Sequence, residues 1–340
     1  MVSRKTAVKG TADNEMVSGM NYRMLGETGL RVSVVGFGAA SLGEEYGDID
    51  SAEGERAVHH AIDRGINYFD VAPYYGGTLA ETRLGRALVG KRSSIILATK
   101  VGRYKEGDGE RFDFSAAGIR RFVEESLRRL KTDYIDVYQA HDIEFVSREQ
   151  IIQEALPAMY RLKEEGKVRY VGITAYPLHL LKDVAERAEV DTILTYCRYN
   201  LLDNSLDQVL TPLAGEKGIG LINASPLNMR ALTDLGAPVW HPAPKKVLDA
   251  VEQAAQCCRS HGRDIAAIAM QFALAYESVG TTLVGMSKMR HVDRNLEMLE
   301  VDLDNSLLEQ VLDILAPVAN ICWQEGIREN CDPGAVAQQS

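Results

Sequence analysis

The stretch Asn67-Tyr-Phe-Asp-Val-Ala-Pro-Tyr-Tyr-Gly76 is a short apolar run that carries two proton-competent side chains, Asp70 and Tyr75. The apolar and aromatic residues before Asp70 favour a buried β-strand. A carboxyl group at the end of such a strand needs a partner, because its ionised form is costly to bury. The stretch therefore predicts a strand that brings Asp70 and Tyr75 to one end of a sheet.

Two later apolar runs end in the same way. Ile95-Ile-Leu-Ala-Thr-Lys100 ends on Lys100, and Ile135-Asp-Val-Tyr-Gln-Ala-His141 ends on His141. In a parallel α/β barrel the carboxyl ends of all strands face one side, so residues far apart in sequence converge there. The expected result is a proton-transfer site in which a lysine ammonium lowers the pKa of a tyrosine from its usual value of about 10.

The whole chain alternates between apolar, β-branched runs and longer stretches of helical periodicity, which is typical of a parallel sheet covered by helices. Eight strands are predicted, at Val32–Gly38, Asn67–Ala72, Ser94–Val101, Tyr134–His141, Val168–Thr174, Thr192–Arg198, Gly218–Ser225 and Thr282–Ser287. Helices are predicted at Ser51–Arg64, Leu79–Val89, Ser115–Leu130, Arg148–Glu165, Pro177–Ala188, Ser205–Glu216, Pro244–His261 and His291–Leu299, with two extra ones at Ile265–Tyr276 and Asn305–Leu315.

Eight such units close most naturally into a (β/α)8 TIM barrel, so the predicted fold class is α/β. The alternative is a doubly wound open sheet, which favours fewer strands and an early G-x-G-x-x-G turn. Gly36-Phe-Gly38 is followed by Ala-Ala-Ser-Leu-Gly43, which misses that spacing. Ahead of the first strand, the segments Tyr22–Gly26 and Leu30–Ser33 predict an N-terminal β-hairpin that plugs the bottom of the barrel.

The 340 residues suit one barrel domain over residues 20–330, with a disordered leader at 1–19 and a flexible tail at 331–340. The leader lacks the apolar segment of a secretory signal. With five cysteines, an odd number, and none in a C-x-x-C pair, reduced thiols and a cytoplasmic location are expected. The histidines and cysteines show no metal-ligand spacing, so no metal is expected.

The net charge of −10 and the absence of a Lys/Arg stripe disfavour nucleic acid as a partner. No apolar run approaches the length of a membrane span, so no membrane contact is expected. A small-molecule substrate is predicted, and the protein is expected to act as a monomer or a homodimer.

These residues carry a resemblance to a known family. The segment Asp70–Gly76 is similar to the D-x-A-x-x-Y-G segment of the aldo-keto reductases, Lys100 closes their A-T-K strand, and His141 falls on their histidine strand. The chain resembles that family from Tyr22 to about Gly326. The resemblance implies an NAD(P)-dependent oxidoreductase in which Tyr75 is the general acid/base. Lys100 would lower its pKa, Asp70 would pair with the lysine, and His141 would orient the substrate.

The resemblance also implies a cofactor site after the later strands. Its expected residues are Gly38, Ala39, Asp70, Thr174, Tyr196, Ser225, Leu227, Gly285, Ser287, Lys288, His291 and Asn295. The family's Ser-Asn after the fifth strand is Thr174-Ala175 here, and its Gln on the sixth strand is Tyr196. His291 stands where many NADP-preferring relatives have an arginine. A neutral histidine favours NAD, while Lys288, Arg290 and Arg294 leave NADP possible.

Within the family the chain resembles sugar dehydrogenases that oxidise the C1 hemiacetal of an aldose, such as L-galactose, L-fucose or D-arabinose, to the lactone. The expected substrate residues are Tyr75, His141, Arg103, Tyr104, Trp240 and Trp323. The first alternative is an NADPH-dependent aldehyde or ketone reductase. The second is a non-catalytic barrel subunit that senses nucleotides.

Overall fold

Eight parallel strands form a closed barrel in the computed structural model, which describes residues 19–45, 47–107 and 109–337. Each strand pairs with the next along the chain, and the eighth pairs with the first. The strands are β1 Val35–Gly38, β2 Tyr68–Asp70, β3 Ile96–Val101, β4 Ile135–Ala140, β5 Val168–Thr174, β6 Thr192–Tyr196, β7 Gly220–Ala224 and β8 Thr281–Gly285. The predicted (β/α)8 barrel is confirmed. Apart from Gly19, the predicted leader lies outside the described residues.

Among the described residues, ten main helices surround the strands or follow them. They are α1 Ser51–Asp63, α2 Leu79–Ala87, α3 Ala116–Leu130, α4 Leu156–Glu164, α5 Leu178–Arg187, α6 Thr211–Lys217, α7 Lys245–Ser260, α8 Ile265–Leu274, α9 Met289–Glu300 and α10 Asn305–Leu315. Short helical turns lie at Ala39–Gly43, Arg92–Ser94, Ile143–Phe145, Arg148–Gln150, Ile151–Ala155, Ser205–Val209, Ala316–Val318 and Arg328–Asn330. No helix in the described ranges is long and apolar enough to cross a membrane.

The N-terminal hairpin pairs Tyr22–Met24 with Arg31–Ser33 in antiparallel register. The predicted strand Val32–Gly38 is therefore wrong in its bounds, because its first residues pair within the hairpin and β1 begins only at Val35. Leu25 and the hairpin residues Leu30 and Val32 pack against barrel side chains. The expected plug is thereby confirmed.

Further elements differ from the sequence-based predictions. The predicted helix Ser205–Glu216 is divided at Leu210 into the turn Ser205–Val209 and α6. A second hairpin, Arg103–Glu106 with Gly109–Phe112, follows β3 where no strand is predicted.

The predicted helix Arg148–Glu165 is confirmed as one continuous helical run to Glu164, which contains a π-helical turn at Ile151–Ala155 before α4. Pro157 lies just after this turn, and its missing N–H removes one backbone hydrogen bond within the helix.

The segment 331–337 is held against the barrel, in contrast to the flexible tail expected there. Asp332 is buried, and it accepts hydrogen bonds from the backbone N–H groups of Leu178 (3.1 Å) and His179 (2.9 Å) at the start of α5. It also pairs with the buried guanidinium of Arg198 at 3.0 Å. A carboxylate that is buried with these partners fixes the segment, which sequence composition alone does not reveal.

Candidate active site

Lys100 is the centre of a buried polar chain at the carboxyl end of the barrel. Its Nζ donates to Asp70 Oδ1 at 2.5 Å, to the carbonyl oxygen of Val71 at 3.0 Å and to Tyr75 Oη at 3.2 Å. Only 2% of the lysine is exposed. All three donor positions of the ammonium are therefore used, which allows a charge to be buried at this depth.

The pKa values of Asp70, Lys100 and Tyr75 depend on one another. Burial raises the pKa of Asp70, and the Lys100 ammonium opposes that rise. Burial alone would lower the pKa of Lys100, but Asp70 and Tyr75 hold it above its usual value. Burial raises the pKa of Tyr75 and outweighs the nearby ammonium. The expected lowering of the Tyr75 pKa is therefore wrong for the protein alone, and the phenol is neutral at neutral pH.

His141 faces the same phenol. Its ring centroid lies 5.7 Å from that of Tyr75 and 6.0 Å from that of Tyr74, both edge to face. Its Nε2 lies 3.5 Å from Asp142 Oδ2. Within the described part of the chain, its Nδ1 has no hydrogen-bond partner.

The imidazole is neutral over the physiological range. Burial lowers the pKa of His141 from 6.5 to about 3, and Lys100 and Arg103 add to this effect while Asp142 opposes it. A neutral imidazole can donate or accept a hydrogen bond but cannot serve as a strong acid.

Arg103 connects the second hairpin to this site. Its guanidinium contacts Asp142 Oδ2 at 2.5 Å and Glu110 at 2.6 Å, and it lies 4.2 Å from the ring centroid of Tyr74. Thr174 donates its hydroxyl hydrogen to Asp142 Oδ1 at 3.2 Å and accepts the Asp142 N–H at 2.9 Å. Asp142 is therefore held from two sides, next to His141.

The other expected substrate residues are spread more widely. Tyr104 follows Arg103 on a strand of the second hairpin, so its side chain points to the opposite face, away from the site. Its ring lies 4.1 Å from that of Phe122 in the outer core. The structure does not bring it to the site, and that expectation is corrected. Trp240 is 59% exposed on the loop after β7. Trp323 is buried and stacks on Tyr176 with ring centroids 4.4 Å apart.

The expected cofactor residues begin beside Asp70. Gly38 at the end of β1 pairs with Asp70 on one side and with Gly285 of β8 on the other. Ala39 is buried in the helical turn that follows. A Cβ at Gly285 would meet no heavy atom within 4 Å in the described structure, so this strand end is open to a bound molecule.

The start of α9 fits the phosphates of the expected dinucleotide. No described side chain caps this helix, whose N-cap residue is Lys288 and whose first turn carries Arg290 and His291. Free N–H groups at a helix N-terminus attract anions. Ser287 is buried with its N–H 3.5 Å from His291 Nδ1, and Asn295 is half-buried one turn further on.

The remaining expected cofactor residues surround the ends of β5, β6 and β7. The hydroxyl of Thr174 already donates to Asp142. Tyr196 packs its ring 5.4 Å from that of Tyr176. Ser225 has a positive φ of 56°, an unfavourable conformation for a side chain, and Leu227 is half-buried in the same loop. Among the described residues, no cluster of metal-ligating side chains occurs.

Gln139 lies at the site and was not among the predicted site residues, whereas Glu144 is a further polar candidate for the sugar. Gln139 donates its amide N–H to Asp70 Oδ2 at 3.0 Å. The carboxyl of Glu144 is fully buried and accepts the Tyr176 N–H at 3.0 Å. The sequence held a signal for Gln139, because it lies two positions before His141 and so faces the same side of its strand.

Comparison with known proteins gives one consistent result. The model of the "Aldo/keto reductase family" matches residues 34–316. L-galactose dehydrogenase of Arabidopsis thaliana is 45% identical over 92% of this chain and 99% of its own length. D-arabinose 1-dehydrogenase of Saccharomyces cerevisiae is 31% identical over 79% of this chain and 84% of its own. The structure of the aldo-keto reductase AKR11C1 from Bacillus halodurans superposes with a TM-score of 0.77 at 31% identity, covering 90% of this chain and 99% of that one.

The matched residues contain the barrel and the four polar side chains at its mouth. The chain therefore belongs to the aldo/keto reductase family, whose members are oxidoreductases that use a nicotinamide nucleotide.

Proposed function

We propose that this protein is an NAD-dependent aldose 1-dehydrogenase that oxidises the C1 hydroxyl of L-galactose, or of an aldose with a similar configuration, to the lactone. The observation that carries the proposal is the buried ammonium of Lys100, 3.2 Å from Tyr75 Oη and 2.5 Å from Asp70. This arrangement suits a tyrosine that exchanges a proton with a substrate oxygen. The sugar dehydrogenases among the relatives support an aldose as that substrate.

In the proposed reaction, side chains of this protein accept the proton of the C1 hydroxyl group. Tyr75 Oη accepts it as a phenolate, and the Lys100 ammonium stabilises that phenolate. The neutral imidazole of His141 orients the same oxygen through a hydrogen bond. The nicotinamide, when bound, would take the hydrogen and the electron pair that leave C1. C1 thereby becomes the lactone carbonyl, and one proton is released.

The raised pKa of Tyr75 gives this reaction a pH dependence. Only the phenolate accepts the proton, so the rate of oxidation should rise with pH above neutrality. Lactone reduction uses the neutral phenol as an acid and should prefer lower pH.

The preference for NAD is supported by the charges at the start of α9. Burial lowers the pKa of His291, and Arg290 and Lys288 lower it further, so this side chain is neutral at pH 7. Lys288 Nζ lies 3.4 Å from Glu53, and Arg294 pairs with Asp264. A 2′-phosphate would therefore meet a neutral ring and, in Lys288 and Arg294, cations that already have carboxylate partners. Exposed Arg290 has no carboxylate partner among the described residues and is the cation that still favours NADP.

His291→Arg tests this cofactor proposal. A permanent cation at this position should raise kcat/KM for NADP about tenfold relative to NAD. Met289→Arg, at an exposed position on the same turn, is the matched control, and its preference should change less. A wild-type enzyme that already prefers NADP would contradict the proposal.

The function itself is tested with a panel of aldoses and aromatic aldehydes, each with NAD(H) and NADP(H), followed by the absorbance of the reduced nicotinamide. L-galactose or a related aldose should be oxidised with NAD, and Tyr75→Phe should abolish that rate while it keeps nucleotide binding. If the protein reduces only aldehydes with NADPH, it is a carbonyl reductase. If nucleotide binds and none of the panel turns over, the non-catalytic alternative holds.

A further inference from the structure

Gln139 of β4 lies in the barrel interior, between β3 and β5. It pairs in register with Lys100 of β3 on one side and with Gly172 of β5 on the other. Its side chain is fully buried. A Cβ on Gly172 would lie 3.1 Å from Gln139 Cγ and only 2.2 Å from Thr192 Oγ1, so the glycine leaves room for the glutamine. The position thus accommodates a long side chain, whose amide oxygen has no hydrogen-bond partner among the described residues.

The amide of Gln139 completes the surroundings of Asp70. The Asp70 carboxylate has two oxygens: Oδ1 accepts from Lys100 at 2.5 Å, and Oδ2 accepts from Gln139 at 3.0 Å. Without the amide, one oxygen of a fully buried carboxylate would lose its hydrogen bond, which is unfavourable for the ionised form. Burial already raises the pKa of Asp70, and the hydrogen bond from Gln139 opposes that rise together with Lys100.

A neutral donor is the suitable group at this point. A second cation would compete with Lys100 for Asp70, and a second carboxylate would repel it. A glutamine amide supplies one hydrogen bond and no charge, so it fixes the plane of the carboxylate and leaves the Asp70 charge to act on Lys100.

We propose that Gln139 is a positioning residue for the proton-transfer step of the proposed function: it holds the Asp70 carboxylate ionised and aligned so that Lys100 stays charged beside Tyr75. The proposal rests on the proposed function for its kinetic consequences. Gln139 itself need not contact the sugar. Its effect passes through Asp70 and Lys100 to the phenol.

Gln139→Met is the first test, because methionine keeps the length and removes the hydrogen bond. The weaker Asp70–Lys100 pair should move the midpoint of the pH–rate profile for oxidation upward by about one unit, which lowers kcat near neutrality about tenfold. KM for the sugar and nucleotide binding should stay within about twofold, since no ground-state contact is lost. Thr192→Val, on the far side of Gly172, is the control for repacking, and its pH profile should match the wild type.

Gln139→Glu is the second test, and it keeps the proposal testable if the methionine variant does not fold. In this variant the new carboxyl group can still donate to Asp70 when it is protonated, whereas it repels Asp70 when it is ionised. The ratio of variant to wild-type rate should therefore fall as pH rises. A purely structural role would give a constant ratio, and that result would overturn the proposal.

A direct readout separates this proposal from the proposed function. In NMR spectra of isotope-labelled lysine, the signal lost in Lys100→Met identifies Lys100, and its titration should begin at lower pH in Gln139→Met than in the wild type. This measurement needs no substrate, so it stands even if the wild type oxidises no aldose. An unchanged Lys100 titration together with an unchanged pH–rate profile would refute the role of Gln139.

Discussion

At the residue scale, Lys100 and Asp70 form an ion pair in which each charge compensates for the burial of the other in the core. Both are almost fully buried, and their side chains lie 2.5 Å apart. Lys100→Met alone leaves the carboxylate without its counterion and should reduce the free energy of unfolding by about 3–5 kcal/mol. The double variant Asp70→Asn/Lys100→Met removes both charges and should recover most of that loss.

The two variants therefore separate stability from activity. Both should lose at least about 100-fold in kcat, because the ammonium beside Tyr75 is gone in each. Urea unfolding and initial rates measured on the same preparations provide the comparison. If Lys100→Met is as stable as the double variant, the Asp70 charge is not buried in the way described.

His141 should make the folded protein sensitive to acid. Its pKa is about 3 in the native protein, against 6.5 for an ordinary histidine. Between these values the unfolded chain binds a proton that the native protein does not, so stability rises with pH through this window and is lost as pH falls. At pH 5 the loss is about 2 kcal/mol.

Unfolding free energies measured from neutral pH down to pH 5 should show this slope. His141→Gln should be less steep than the wild type. His59→Gln, at a half-buried histidine of α1, leaves the His141 contribution in place and is the matched control. Equal slopes for His141→Gln and the wild type would contradict the buried neutral imidazole.

Sequence reasoning located the four polar residues but not their electrostatics. Strand-end position in an alternating α/β pattern is enough to bring Asp70, Tyr75, Lys100 and His141 together. The direction of the Tyr75 pKa depends on how completely the phenol is buried, which spacing along the chain does not state. Tyr104 is predicted at the site, but strand alternation in the second hairpin turns its side chain outward.

At the scale of the element, a buried carboxylate helps to hold the C-terminal segment, together with the amide of Asn330, which donates to the carbonyl oxygens of Glu144 and Val146. Asp332 accepts two N–H groups at the start of α5 and pairs with Arg198, whose other partner is Asp203 at 3.4 Å. Asp332→Ala removes the acceptor of two N–H groups at the start of α5. It also removes one of the two carboxylates that compensate the buried charge of Arg198. The free energy of unfolding should fall by about 3 kcal/mol.

The same change should release the segment before the barrel unfolds. Limited proteolysis should cut residues 324–337 faster in Asp332→Ala than in the wild type, under conditions where the barrel stays folded. Glu329→Ala, at an exposed position of the same segment, should behave as the wild type. Equal cleavage rates in both variants would show that Asp332 does not anchor the segment.

The elements that sequence reasoning found are those with a repeated pattern. Helix α10 has the predicted bounds, and most barrel helices differ by one to three residues. The boundary between the hairpin and β1 was missed because an apolar run continues through Val34 while the pairing partner changes. The π-helical turn Ile151–Ala155 lies inside the predicted helix Arg148–Glu165 and does not show in its apolar spacing, which is that of a continuous helix. At the hairpin boundary the deciding contact is tertiary.

At the scale of the whole molecule, the residues of the proposed reaction and the N-terminal plug lie at opposite ends of the barrel. The polar site lies at the carboxyl ends of the strands, and the plug closes the opposite end. Leu25 of the plug is fully buried. Its side chain fills a socket formed by glycines, since a Cβ on Gly220 would lie 2.6 Å from Leu25 Cγ and one on Gly280 would lie 2.9 Å from Leu25 Cδ1.

Leu25→Ala should therefore reduce the free energy of unfolding without a change in the kinetics of the reaction. The cavity should reduce the free energy of unfolding by about 2–5 kcal/mol, because glycine neighbours offer no side chains to refill it. Met24→Ala, at an exposed neighbouring position, should cost much less. At a temperature where both variants stay folded, kcat and KM should equal the wild-type values. A fall in kcat for Leu25→Ala under those conditions would mean that packing at the closed end sets the geometry of Lys100 and Tyr75 at the open one.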